Sequence, residues 1–280
     1  MTDHLRRRLL AATALLPWAG IAAANTLENA RSRGVLRFAL YDDFAPYSDD
    51  TGGIDVDIAH ALARRLALRA DITLFDAGED MRDDLRIWLW KGGYMGNVVC
   101  DVMLHVPVDP VLAEAAPQVR IFSSYHVEQI AVMRDAEHVP PILGLDQFTR
   151  VKIGVETGSL ADDYLLSALG GRFRNNVVHY RSVADAVRGM RESEVQIVMG
   201  ARAHMEAALG ATSPRYPVTR FTGAGLNVRE WPIGIATRRE DADLATAIEQ
   251  AMTGLQKDGT LDRVFTQRGV RRLESGGDSD

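Results

Sequence analysis

The residues with most chemical capacity fall in a few short stretches. His105 and Asp109 bracket Pro107 at the end of an apolar run, and Ser123 and His126 flank Ser124-Tyr125 further on. Asp42, Phe44 and Tyr47 stand in a loop rich in Asp, Pro and Gly, and Gly158-Ser159 closes the stretch VKIGVETGS at residues 151–159. Imidazoles and carboxylates at strand ends are where α/β proteins build sites. Here they suit a polar ligand or, with Asp42 or Asp43, a divalent metal; ordinary loop residues are the competing account. The His105–Asp109 spacing crosses a proline loop and matches no metal motif, so no metal is assigned. The acids from Asp42 to Asp57 lack the ligand order and terminal Glu of a calcium loop. At Ser159 a helix begins, whose free N–H groups and dipole favour an anion. Ser159 equally suits a cap for that helix, with Asp162 at the third position.

Catalytic patterns are missing. There is no Gly-x-Ser-x-Gly, Cys-x-x-Cys, His-Glu-x-x-His or phosphate-loop motif, and residues 154–158 fail the dinucleotide glycine spacing. Ser123 or Ser159 beside a histidine lacks a third group to orient the base. A binding protein without a cofactor is the better reading, with an enzyme on the same fold as the weakest alternative, and a monomer is expected.

These residues need a scaffold of alternating strands and helices. Residues 35–40 read as a strand, and 54–68 repeat apolar side chains at helical spacing through Ile54, Ile58, Leu62 and Leu66. A strand at 72–75, a helix at 80–90, an apolar run at 98–106 and a strand at 128–133 complete a first block. Strands at 151–155, 177–180 and 195–199 alternate with helices at 160–169, 183–191 and 201–209 in a second. A strand at 231–237 then returns, followed by helices at 244–255 and 260–267. Alternation of this kind predicts parallel sheets. Leaving one α/β lobe, building another and coming back creates a cleft for a small molecule. The implied division is 25–133 for the first lobe, 134–228 for the second, 229–270 for the return strand and last helices, and 271–280 for a disordered acidic tail. Tyr94 is a weaker cleft candidate, while Trp88, Trp90 and Trp231 read as core or subdomain surface.

The 280 residues are 46% apolar and 25% charged with a net charge of -6, an ordinary globular composition that gives no reason to expect nucleic acid. The single cysteine, Cys100, permits no internal disulfide. Arg6-Arg7-Arg8, an apolar run to Ala23 and the small residues Ala22-Ala23-Ala24 have the layout of a cleaved signal peptide at 1–24. The run is too short for a comfortable membrane span. A periplasmic, acidic mature chain follows.

Four stretches carry a resemblance. They are Phe44-Ala45-Pro46-Tyr47, then Gly53-Ile54-Asp55-Val56-Asp57-Ile58-Ala59, then Phe122-Ser123-Ser124-Tyr125-His126, and finally Gly154-Val155-Glu156-Thr157-Gly158-Ser159. In order and spacing, over about residues 34–268, they resemble the extracellular solute-binding proteins of family 3, the polar-amino-acid type. The resemblance implies a two-lobed α/β periplasmic-binding-protein-like fold of type II with two crossover strands at the hinge. It also implies that Phe44 lies against the ligand and that Ser159 and the backbone at Gly158 clasp an anionic group.

Two departures bear on the ligand. Amino-acid binders of that family grip the carboxylate with an arginine, yet residues 111–118 hold no Arg or Lys, and Arg120 stands too near Phe122 to substitute. They hold the ammonium with an aspartate where this chain has Gly200. A small polar solute other than a standard amino acid is therefore expected, passed to an inner-membrane ABC permease. Residues 79–109, with the pattern at 100–109, resemble solute-binding-like proteins associated with quinoprotein alcohol and methanol dehydrogenases. That resemblance implies the alternative of an accessory protein for such a dehydrogenase or its cytochrome c.

Overall fold

The computed structural model describes residues 26–93, 96, 98–210 and 213–274. The signal peptide expected at 1–24, Tyr94 and residues 275–280 lie outside the described residues. The first lobe opens with α1 (Thr26–Arg33), β1 (Val35–Tyr41), α2 (Ile54–Arg65) and β2 (Arg69–Phe75). The short α3 (Met81–Leu85), β3 (Val102–Pro107) and α4 (Pro110–Ala115) lead into β4 (Val119–Arg134). The second contains β5 (Ile153–Glu156), α5 (Leu160–Gly171), β6 (Val177–Tyr180), α6 (Val183–Arg191), β7 (Ile197–Ala201), α7 (Arg202–Leu209) and β8 (Val218–Arg220). The chain returns through β9 (Glu230–Arg238), α8 (Ala242–Lys257) and α9 (Thr260–Gln267).

The strands form two sheets that share β4. In the first lobe the order is β2-β1-β3-β9-β4, with β1 parallel to β2 and β3, and β9 antiparallel to its neighbours. In the second, β4 runs antiparallel to β7 and β8, and β7 continues parallel to β5 and then β6. The change of sheet falls inside β4: residues through Gln129 pair with β9, and Ile130 onward pairs with β7. The second passage enters β9, where Arg229 accepts a backbone hydrogen bond from Ile130 at 2.8 Å. Two crossovers joining two α/β lobes agree with the fold expected from the sequence.

Core periodicity explains most elements, and local packing explains the differences. Ile54, Ile58 and Leu62 are fully buried along one face of α2. This helix stops at Arg65 rather than running to Leu68 because Ala67 turns left-handed at φ 58° and Leu68 bonds back to Ala63 at 2.8 Å. The helix expected over 80–90 is α3 followed by a π-turn at Arg86–Lys91. The wider turn accompanies burial of Leu85 and Leu89, stacking of Trp88 4.7 Å from Phe75 and a bond from Cys100 N–H to the Trp88 carbonyl. The strand expected at 128–133 is the second half of β4, whose sixteen residues contain a bulge between Phe122 and His126. Arg271–Glu274, assigned to the tail on sequence, packs back on the fold. Leu273 donates to His126 Nδ1 and accepts from Val127 N–H, and Arg272 pairs with Asp262.

Gly53 fixes the loop that carries Phe44 and Tyr47. Its φ of 147° with ψ of 176° is a conformation open essentially to glycine, and a Cβ there would lie 2.1 Å from the Tyr47 carbonyl oxygen. Gly53→Ala is expected to cost about 2–3 kcal/mol in urea unfolding. Gly34→Ala, at φ 71° with nothing within 4 Å of the added carbon, should cost only about 1 kcal/mol. Equal stabilities for the two variants would refute this account of the loop.

Candidate functional site

A cavity of about 390 Å³ lies between the lobes. Its first-lobe wall carries Asp42, Phe44, Tyr47 and His105; its second-lobe wall carries Glu156, Ser159, Gly200 and His204, with Trp231 from β9 at the side. The rings pack on one another. Phe44 stacks on Tyr47 at 5.6 Å and meets His105 and His204 edge-on at 4.7 and 5.2 Å. Among the described lining residues none is Lys or Arg, whereas Asp42, Glu128 and Glu156 are carboxylates.

A buried polar network holds the first-lobe wall. Asp55, at the start of α2, accepts from the Tyr125 hydroxyl at 2.7 Å and lies 3.0 Å from His105 Nδ1. The Tyr125 oxygen in turn accepts from His105 N–H at 3.0 Å. A carboxylate can only accept here, so the His105 proton sits on Nδ1 and Nε2 is the nitrogen left for the cavity. His105 is held at φ 60° within the β3 irregularity, a left-handed conformation for a non-glycine residue. Burial and the Asp55 charge push the Tyr125 phenol far up, so it stays a neutral donor.

The second anchor is Glu128, fully buried on β4. One oxygen accepts from the Tyr47 hydroxyl at 2.9 Å. The other accepts from the backbone N–H of Gln129 at 2.8 Å, Arg202 at 3.0 Å and Ala203 at 3.3 Å. Burial pushes its carboxyl up, and these donors act against that shift. Glu156 is likewise pushed up by burial, relieved only by the Val183 amide at 3.3 Å.

Of the candidates read from the sequence, Asp42, Phe44, Tyr47, His105, Ser159 and Gly200 line this cavity. Four do not. Asp109 caps α4 through Leu112 N–H at 2.9 Å and lines an adjoining compartment. Ser123 occupies the β4 bulge at φ 51°. His126 turns to Phe265, ring centres 4.8 Å apart, and accepts from Leu273. Gly158 N–H is taken by the Asp162 carboxylate at 2.8 Å. Ser159 is itself the cap of α5, accepting from Asp162 N–H at 3.2 Å. Glu128, Glu156, His204 and Trp231 were not among the candidates. An acid inside the apolar run 127–133 was the available signal for Glu128.

Geometry accounts for both departures in the sequence. Arg120 pairs with Glu249 at 2.7 Å and lies 5.1 Å over the Phe122 ring, and it is not among the residues lining the cavity. A side chain at Gly200 would begin 3.0 Å from Val183 Cγ2, so the wall is already filled there.

No known sequence family matches the chain, and no curated protein does. Solved structures do. An ancestral cationic amino acid solute-binding protein superposes with a TM-score of 0.66 at 18% identity, covering 87% of this chain and 99% of that one. An ancestral amino-acid-binding protein described as a precursor of cyclohexadienyl dehydratase matches with a TM-score of 0.59 at 18% identity, over 88% and 100% of the two chains. An amino acid ABC transporter substrate-binding protein from Streptococcus pneumoniae, bound to L-arginine, matches with a TM-score of 0.59 at 15% identity, over 89% and 100%. The chain therefore has the two-lobed fold of periplasmic-type solute-binding proteins. Among the described residues no helix is long and apolar enough to cross a membrane.

The buried histidines make stability depend on pH. Desolvation holds His126 down to about 3, and desolvation together with the His105 charge holds His204 down to about 4, against an ordinary 6.5. The unfolded chain takes up these protons first, so their contribution is intact above about 6.5 and is lost as pH falls towards the folded values. Glu128 and Glu156, with raised values, act in the opposite sense, their contribution growing as pH falls towards 4.5. His204→Phe should flatten the decline of stability with acid between about 6.5 and about 4. An unchanged slope in chemical denaturation across that window would show that His204 does not contribute.

Proposed function

We propose that this chain is a periplasmic solute-binding protein whose lobes close over a small polar solute, not a standard α-amino acid, for delivery to an inner-membrane ABC permease. The observation that carries the reading is the charge of the cavity wall: aromatic rings and carboxylates without a single described Lys or Arg. A carboxylate placed there would face Asp42 and Glu156 with no cation to balance it. A cation would gain twice. The faces of Phe44, Tyr47 and Trp231 attract positive charge, and Glu156 and Asp42 supply counter-charge. The solute favoured is an organic ammonium or amidinium group. His105 Nε2, its ring fixed by Asp55, offers a polar partner beside it.

The same reading favours binding over turnover, since His105, the described cavity imidazole oriented by a carboxylate, has no nucleophile shown against it. The dehydrogenase-accessory alternative rests on residues 100–109. Two exposed apolar residues flank that stretch, Val98 and Val111. Capture of a quinoprotein dehydrogenase in place of a permease, at near-stoichiometric yield from native periplasm and membrane, would favour it.

Titration calorimetry against alkylamines, guanidines, carboxylates and α-amino acids tests the main reading. The amine or guanidine set should bind and α-amino acids should not. For the best cation, Phe44→Ala and Glu156→Gln should each weaken binding by about tenfold. Tight binding of carboxylates with no response to cations would refute the assignment.

A further inference from the structure

The cavity does not end at Trp231. A second compartment of about 930 Å³ adjoins it and shares Pro107, Leu160 and Trp231 with it as common wall. The balance of charge differs across that wall, since the outer compartment sets two arginines beside the acids Asp109 and Glu230. The inner cavity has no described cation, while the outer one contains Arg220 and Arg229.

The two arginines are not equivalent. Arg220 is committed to Glu230 at 2.6 Å. Asp109, the other acid of this compartment, is turned to the first turn of α4, accepting from Leu112 N–H. Arg229 donates through Nε to the Leu226 carbonyl at 3.1 Å, and among the described residues no carboxylate pairs with its guanidinium. Its backbone is fixed, since its carbonyl accepts from Ile130 exactly where β4 changes sheets. A guanidinium held at its root with its terminal nitrogens uncommitted is built to take an oxyanion in bidentate fashion. Leu112, Leu226 and Trp231 supply an apolar path between it and the inner cavity.

We propose that the solute is elongated and bipolar: its cationic end lies in the inner cavity, its chain passes Trp231, and its anionic end meets Arg229. This rests on the cation reading of the inner cavity. It also explains how a fold shared with amino-acid binders can lack a carboxylate clamp inside the cleft. The clamp has moved outward, so the two charges are recognised farther apart than the adjacent ammonium and carboxylate on the α-carbon of an amino acid.

The test is calorimetry on the purified protein with an ω-aminoalkanoate series of increasing length and the matching n-alkylammonium ions. One length should bind at least about tenfold more tightly than its alkylammonium counterpart. In Arg229→Gln the acid and the alkylammonium should bind alike, and Arg229→Lys should recover much of the difference. A carboxylate that adds nothing in the wild type at any length overturns the proposal while leaving the inner cation site standing. So does an advantage that survives in Arg229→Gln. If neither series binds, the cation reading of the inner cavity fails, and this inference falls with it.

Discussion

The Glu128 carboxylate lies on β4 two residues before the strand enters the second sheet, and three otherwise separate pieces of the chain meet on it. Tyr47 brings the loop that forms the first-lobe wall of the cleft, Arg202 and Ala203 bring the N-terminus of α7, and Gln129 supplies the amide next in the strand. All four groups donate, so the site is made for an ionised acceptor despite burial that opposes ionisation. Unpaired, each buried donor would cost about 1–3 kcal/mol. The acid thus acts as a cap for α7 placed on another element, at an end whose own residue, Ala201, has no side chain able to cap.

That arrangement constrains how the lobes can move. Ala203 packs in the core of the first lobe, whereas Met205 packs in the core beside α6 and β7. With its first turn fastened to Glu128, α7 cannot travel freely with the second lobe. His204 sits in that first turn, between the two fixed points, in the cavity wall facing Phe44. The first-lobe wall is rigid for a separate reason: Asp55, Tyr125 and His105 lock α2, β4 and β3 together from behind.

How much of this was legible in the sequence follows from the range of the interactions involved. The strand–helix alternation, the crossovers and the return strand could be read because they depend on local periodicity and on turn residues. His105 and Ser159 could be picked out because they stand at a strand end and a helix start, whereas Phe44, Tyr47 and Gly200 came from a loop and positions that resemble those of known binding proteins. His126 and Ser123 were misplaced because a bulge in β4, invisible in the residue pattern, decides which way each faces. Glu156 was read only as part of a turn motif, Trp231 only as core or subdomain surface, and His204 not at all, because nothing in their own neighbours marks them as cavity residues. They matter only where β5, α7 and β9 converge, and that convergence is a property of the two sheets rather than of any stretch of chain.

The cleft also shows why fold and ligand separate so readily in this architecture. The polar-amino-acid binders that this sequence resembles place opposite charges on the two walls of one compartment, which suits a ligand whose charges are adjacent. Here the position where an aspartate would stand is Gly200, closed off by Val183, and Arg120, the cation just before Phe122, is spent on Glu249. Both changes leave the sheets untouched, because Gly200 keeps its backbone pairing with Ala131 and Arg120 keeps its pairing with Thr237. Charge can therefore be removed from the walls, or moved outward past Trp231, without cost to the ladders that hold the lobes. What the scaffold does require is the uncharged part of the site: the Phe44–Tyr47 stack, which closes on His105 and His204, and the loop that Gly53 permits. Selectivity in such a cleft is set by where the few charges stand around that aromatic floor.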